Sequence, residues 1–317
     1  MKDDLQGHST VPVSTWLDNA VICQEAIDAA GDLPRTNNAE FERFYTYLVV
    51  DEPIVQLMPG YFLPPWAEQR VQPEALRTLA VTAKLENARN RWLDEMVDDH
   101  EALVSLTSSQ ELNRDLVSLT NYLYASILPR PLAADFFERL AMLYARHSLS
   151  LVLDGKRRTL LRHPISLTDY EVHAKARHSS VRAPLDALLL LVEAHEDQST
   201  VAADSWHAWG LGAQLYDDAL DVEEDFSQGI LTWTVSRTLE CFEGQIPENP
   251  NEFYAVALQE GVVVQTLKRA EDHFTRAAEL ARLNFPRWTP VQHGCRRQAR
   301  ALRKDYERLL TLEPSDR

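Results

Sequence analysis

The sequence predicts an all-α fold, a single-domain helical bundle enclosing a central cavity. Three observations carry this reading. Only ten glycines occur in 317 residues, too few for the tight turns of a β-rich or doubly wound fold. From Pro73 onward apolar residues recur with the helical period of about 3.6 residues. No segment alternates apolar and polar residues as a half-buried strand would. With 45% hydrophobic residues, the chain can bury a sizeable core or line a cavity.

Taken in order, residues 1–20 are expected to be loose, being polar and without the apolar run of a signal peptide. Residues 21–317 are expected to form one domain. Pro53, Pro59, Pro64 and Pro65 mark a stretch expected to be loop. Pro73 suits the first turn of a helix running to about Val104. Further helices are expected near 110–127, 133–153, 168–197, 200–227, 251–284 and 289–311. Their breaks fall at Pro129 and Pro131, at Pro164, at Gln198-Ser199 and between Pro247 and Pro250.

Charge limits the partners. The formal net charge is -16, from 48 acidic and 32 basic residues, which repels nucleic acid and anionic membranes. The most apolar stretch, Leu185 to Val192, carries Asp186 and is far too short to span a bilayer. Cys23, Cys241 and Cys295 are odd in number and lack metal-ligand spacing, so a reducing cytoplasm is the expected location.

The acidity is concentrated. Residues 217–225 hold six carboxylates and no base. On a helix, Asp217, Asp221 and Asp225 fall within about 80° of one another on successive turns. Trp206, Gly210 and Gln214 extend that stripe upstream, while Leu211, Leu215, Ala219, Val222 and Phe226 form a separate apolar face. Like charges at i, i+4 destabilise a helix by about a few tenths of a kcal/mol per pair. Three on one face therefore call for a cation, and oxygen ligands select magnesium, calcium or manganese over zinc. The competing reading is a plain solvated acidic face; the glycine, amide and tryptophan on the same stripe, which read as a cavity wall, argue against it.

About 120 residues upstream, Asp94 and Asp98 lie one turn apart on a shared face, with Ala80, Ala83 and Asn87 before them. Trp92, Leu93, Met96 and Val97 point elsewhere and read as core. Alone, an acid-rich helix segment is a weak signal.

Gly210-Leu211, Gln214, Asp217-Asp218, Leu220-Asp221-Val222 and Asp225 resemble the second aspartate-rich motif of trans-isoprenyl diphosphate synthases. The triad Asp217, Asp221, Asp225 is also similar to the metal triad of class I terpene synthases. Asp94-Glu95-Met96-Val97-Asp98 resembles the first motif of the synthases, with glutamate in the second place. The resemblance spans about residues 75–240 and implies the isoprenoid synthase fold. It further implies a prenyl diphosphate held by three magnesium ions on Asp94, Asp98, Asp217, Asp221 and Asp225. In that family a tyrosine precedes a diphosphate-binding lysine by seven residues; the same offset from Tyr170 lands on Arg177, with Lys175 as second choice. Trp206 is then placed for cation–π contact with the allylic cation, and Asn87, Gly210 and Gln214 for lining the substrate cavity. Arg303 with Tyr306, in a basic stretch from Arg296 to Arg308, loosely resembles a terminal Arg/Tyr pair of terpene synthases; a solvated helix face is the favoured reading.

The chain departs from the elongating synthases. It shows no Gly-Lys-x-x-Arg element, no arginine pair after the first motif and no lysine after the second, where Gly229 is followed by Ile230. The expected function is therefore a terpene synthase acting on one allylic diphosphate. The alternative is a prenyltransferase that adds isopentenyl diphosphate or another acceptor, and a third is a non-catalytic helical subunit. A di-iron carboxylate bundle would need paired Glu-x-x-His motifs, which the sequence lacks. A homodimer is allowed for.

Overall fold

A computed structural model describes residues 17–33, 38–50, 53–98, 106–157, 165–242 and 246–311. Among them there is no strand. The elements in chain order are α1 (Asn19–Gly31), α2 (Asn38–Val49), α3 (Pro53–Gln56), α4 (Met58–Tyr61), α5 (Pro73–Asp98), α6 (Leu106–Ile127), α7 (Arg130–Arg157) and α8 (Leu167–Arg177). They continue with α9 (Ala183–Leu191), α10 (Glu196–Leu220), α11 (Val222–Ser227), α12 (Trp233–Leu239), α13 (Pro250–Gln259), α14 (Val262–Ala281) and α15 (Trp288–Thr311). The expected helix end near Val104, the break at Pro164 and most of the expected loose N-terminus lie outside the described residues. No described helix is long and apolar enough to cross a membrane.

The fold agrees with the all-α expectation, but its breaks differ in ways that matter for the site. Four helices, α1 to α4, precede Pro73. Asp18 caps the first, its Oδ1 accepting from the amides of Ala20 at 2.9 Å and Val21 at 3.3 Å. Ile22, Ala26 and Ala30 on α1 and Phe44 and Leu48 on α2 are buried where these helices meet α5. The proline-rich stretch is not plain loop: Pro53 opens α3 and Pro59 sits in the first turn of α4, where a missing N–H costs nothing.

The expected helix 168–197 is interrupted after Arg177. Ser179 Oγ reaches the Ala176 and Leu143 carbonyls at 2.7 and 2.8 Å, a short 3-10 turn follows at Ser180–Arg182, and Pro184 opens α9. Proline fits only a first turn, so Pro184 was the legible signal. Gln198-Ser199 is no break: Gln198 Oε1 accepts from the His195 amide at 3.1 Å, capping the start of α10. The 251–284 segment divides at Gly261, whose φ of +68° favours glycine.

α5 is central, touching α1, α2, α3, α4, α6, α7 and α9, while α10 packs along α14 and α14 along α15. The interior between α10 and α15 is aromatic. Trp206, Trp288, Phe62 and Phe285 are fully buried, with Trp206–Trp209 centroids 4.5 Å apart and Phe62–Trp288 4.8 Å. The basic stretch on α15 turns toward α14: Arg300 Nε lies 2.8 Å from Glu271, and Arg303 binds the same carboxylate. Tyr306 is bonded to Tyr254. Arg303, which loosely resembled a member of a terminal Arg/Tyr pair, is thus engaged with Glu271.

Candidate active site

α5 and α10 present their polar faces to one cavity of about 770 Å³. Asn87, Arg91 and Asp94 share one side of α5, being four and three residues apart. From α10 come Trp209, Ala213, Gln214 and Asp217. The end of α8 adds Arg177 and His178, and Glu224 and Gln228 complete the rim. Ile54, Val55 and Val181 give the wall its apolar part. The lining of the cavity is thus partly charged and partly apolar.

Arg177, the last residue of α8, places Nη2 3.2 Å from Asp94 Oδ2. The other oxygen of Asp94 is buried and accepts no hydrogen bond, a costly state for a carboxylate. Asp217 faces the same space; burial pushes its pKa up, while Arg177 and Arg91 pull it down. Burial raises Asp221 too, with the charges of Asp217 and Glu224 adding to it. Asp225 is pushed up to about 8, by burial first and then by Asp218, Asp221 and Asp217. Mutual repulsion of this kind, a donor set of oxygens and an unsatisfied buried carboxylate oxygen fit a hard divalent cation. Among the described residues no three His, Cys, Asp or Glu side chains converge on one point as a ready metal site.

The triad expected on one continuous helix is divided. α10 ends at Asp221, which has φ -99° and ψ 12°, and Asp225 belongs to α11. Asp217 lines the cavity; Asp221 and Asp225 do not, and Glu224 takes a place on the rim instead. Asp98 closes α5, and its side chain lies outside the described residues. Asp218 is buried for a structural purpose: Oδ1 accepts from Gln214 Nε2 and Oδ2 from the Trp233 amide, both at 3.0 Å, fastening α12. Burial pushes its pKa up to about 6. Gln214 therefore lines the cavity with its amide already engaged.

Other residues sit apart from the cavity. Lys175 is exposed on the far side of α8. Trp206 is fully buried, its Nε1 reaching the His178 carbonyl at 3.5 Å, and Trp209 one turn on supplies the aromatic wall. Gly210 makes room for a neighbour rather than for substrate: a Cβ there would stand 3.0 Å from His178 Cδ2. Sequence reasoning gave no role to Arg91, Trp209 and Tyr47, nor to His178, one of the basic side chains on the helix that carries Arg177. Arg91 was legible, being four residues from Asn87 and three from Asp94; Tyr47, whose hydroxyl donates to Glu95 at 2.9 Å, had no signal in any motif.

These placements separate two bases only two residues apart. With a prenyl diphosphate in this cavity, as the sequence resemblance implies, Arg177→Ala should lower kcat/KM for diphosphate release about 10²-fold, and Lys175→Ala about twofold at most. Steady-state assays of both variants check this, and the reverse order would reassign the diphosphate contact.

Histidines 147, 173, 178 and 207 surround the Arg177 end of α8. His207 Nε2 accepts from Arg182 Nη1 at 3.2 Å, and its pKa is pushed down to about 4, by burial first and then by Arg182. The unfolded ring titrates near 6.5, so the unfolded chain binds the extra proton between those values. Stability supplied by the neutral ring is complete above about pH 6.5 and is lost as pH falls toward 4. Thermal melts of His207→Gln across that window should show a shallower acid limb than wild type; an unchanged slope counts against the assignment.

No protein-family model and no curated protein sequence matches the chain. Solved structures do. A geranylgeranyl pyrophosphate synthetase from the archaeon Geoglobus acetivorans superposes with a TM-score of 0.72 at 13% identity, covering 90% of this chain and 99% of that one. A heptaprenyl diphosphate synthase from Staphylococcus aureus gives 0.70 at 9% identity, covering 90% and 98%. A polyprenyl synthase from Caulobacter crescentus CB15, complexed with calcium and isoprenyl diphosphate, gives 0.67 at 16% identity, covering 90% and 96%. Over nine-tenths of its length, then, the chain has the isoprenoid synthase fold.

Proposed function

We propose that this protein is a prenyltransferase: it ionises an allylic prenyl diphosphate and transfers the prenyl group to an acceptor such as isopentenyl diphosphate. One observation carries the reading. Asp94 of α5 and Asp217 of α10 line the same cavity as Arg177 and Arg91, so acids and bases from separate helices meet where a diphosphate can sit. The superposed proteins, two named as prenyl diphosphate or pyrophosphate synthases and one as a polyprenyl synthase, support transfer over cyclisation. The terpene synthase reading rested on missing bases, and Arg91 on the cavity weakens that argument.

Asp94 and Asp217 are the residues that would hold magnesium, with Asp98, Asp221 and Asp225 as further candidates. When bound, magnesium supplies Lewis-acid stabilisation to the leaving diphosphate. Arg177 and Arg91 donate charge-assisted hydrogen bonds to its oxygens. Ile54, Val55, Val181 and Ala213 keep water from the cation. The face of Trp209 stabilises it by about 0.5–2 kcal/mol. The proposal treats residues 21–317 as one catalytic domain and places it in the cytoplasm, in keeping with three free cysteines.

The test is incubation with magnesium and prenyl diphosphates from geranyl to geranylfarnesyl, with and without isopentenyl diphosphate. Expected are diphosphate release that depends on the acceptor and a longer prenyl diphosphate by mass spectrometry. Release without acceptor, giving a hydrocarbon or alcohol, would restore the terpene synthase reading. Silence with every substrate would remove both.

A further inference from the structure

Of the two arginines on the cavity, Arg91 lies within α5, whereas Arg177 is the last residue of α8. A helix end leaves its final carbonyls without partners in the helix. Where Arg177 stands therefore depends on what else holds its backbone.

That hold comes from α7. The Arg177 carbonyl is 2.9 Å from Nδ1 of His147, and because a carbonyl only accepts, Nδ1 is the donor. One turn earlier on α7 the Leu143 carbonyl accepts from Ser179 Oγ at 2.8 Å. From α5, Asn90 donates to Ser180 Oγ at 2.7 Å. The turn that follows Arg177 is thus fastened to two helices by side chains. His147 is 1% exposed and does not line the cavity. Its other ring nitrogen, Nε2, is buried without a hydrogen bond, a cost that an apolar side chain of similar size would avoid. The bond made by Nδ1 accounts for an imidazole at this position.

At the far end of the side chain, Arg177 Nη2 lies 3.2 Å from Asp94 Oδ2. That contact must change when Asp94 turns to a cation and the guanidinium to a diphosphate. The bond to His147 involves neither of those groups, so it can last through the reaction.

We propose that His147 is a positioning residue: through the Arg177 carbonyl it fixes the end of α8 and so aims the guanidinium at the diphosphate. It touches no substrate itself. The assignment rests on the reading above that a prenyl diphosphate occupies this cavity.

The experiment uses the full chain carrying one of three substitutions. His147→Leu fills the space without a donor, and His147→Gln carries its amide past the Nδ1 position. His147→Asn puts its own Nδ2 where Nδ1 stood. Each is made alone and together with Arg177→Ala, and calorimetric melts identify the folded variants. Inorganic diphosphate with magnesium is the probe for titration calorimetry; kcat/KM is measured with the allylic diphosphate that wild type accepts and its acceptor. His147→Leu and His147→Gln should each lose about tenfold in diphosphate affinity and in kcat/KM, with His147→Asn within about threefold of wild type. In the Arg177→Ala background the same substitutions should change either quantity by about twofold at most, because the group they position is gone. Wild-type affinity in a folded His147→Leu or His147→Gln, an equal loss in His147→Asn, or an equal loss in both backgrounds overturns the positioning role alone. Failure of both donor-free variants to fold while His147→Asn folds marks a structural role and overturns it too. A wild type that neither binds diphosphate nor releases it from any prenyl substrate overturns the parent reading and this one with it.

Discussion

Asp217→Ala should reduce diphosphate release by about 10³-fold while raising thermal stability slightly. The two effects share one cause. Burial raises the pKa of Asp217, so its ionised form is disfavoured in the free protein and favoured only when a cation compensates it. Removing the carboxylate relieves that cost, so Tm should rise slightly. Asp94→Ala should lose activity as fully but gain no stability, because it also removes the 3.2 Å pair with Arg177. Activity assays at saturating magnesium, with calorimetry on the metal-free proteins, separate the cases. Retention of more than about a tenth of wild-type turnover by either variant would show that the residue is not a required ligand.

Trp206→Ala should cost about 3–5 kcal/mol, the usual range for deleting a fully buried indole, and lower Tm by about 5–7 °C. The ring has no exposed surface and contacts Trp209, Trp288 and Phe62 at centroid distances of 4.5, 6.0 and 6.5 Å. The sequence reading placed this residue against the substrate; the structure places it one layer behind. Trp206→Phe, which keeps an aromatic ring in that layer, should therefore hold turnover within about threefold of wild type at temperatures where it is folded. A variant with wild-type Tm and lost turnover would return the ring to the substrate.

Those two tryptophans show how far periodicity reaches. A stripe of residues three and four apart identifies a helix face, but both Trp206 and Trp209 lie near the stripe that ends at Asp217. Which of them meets the cavity depends on what fills the space beside α10, and that is Phe62, just past α4, and Trp288 from α15, far away in sequence on either side. The same limit governs the acids. Asp217 and Asp221 are adjacent on any helical wheel; a wheel does not show that the helix stops at Asp221 and hands Glu224 to the rim.

Helical content, the acidic charge balance and the clustering of acids within each of two segments are local properties, written in composition and in spacings of three and four, and were legible without coordinates. That the two segments belong together, and Arg177 with them, was an expectation implied by the family resemblance. The proline at 184 and the glycine at 261 were legible as breaks but were passed over. What required tertiary structure was which distant side chains share the cavity, His178 in the notch left by Gly210 and Tyr47 from a helix with no motif, and, away from it, the turning of the α15 arginines toward Glu271. Spacing fixes neighbours along one helix, within about a turn or two. Cavity membership is fixed by how separate helices pack, and packing is decided by volumes and ion pairs contributed from distant parts of the chain.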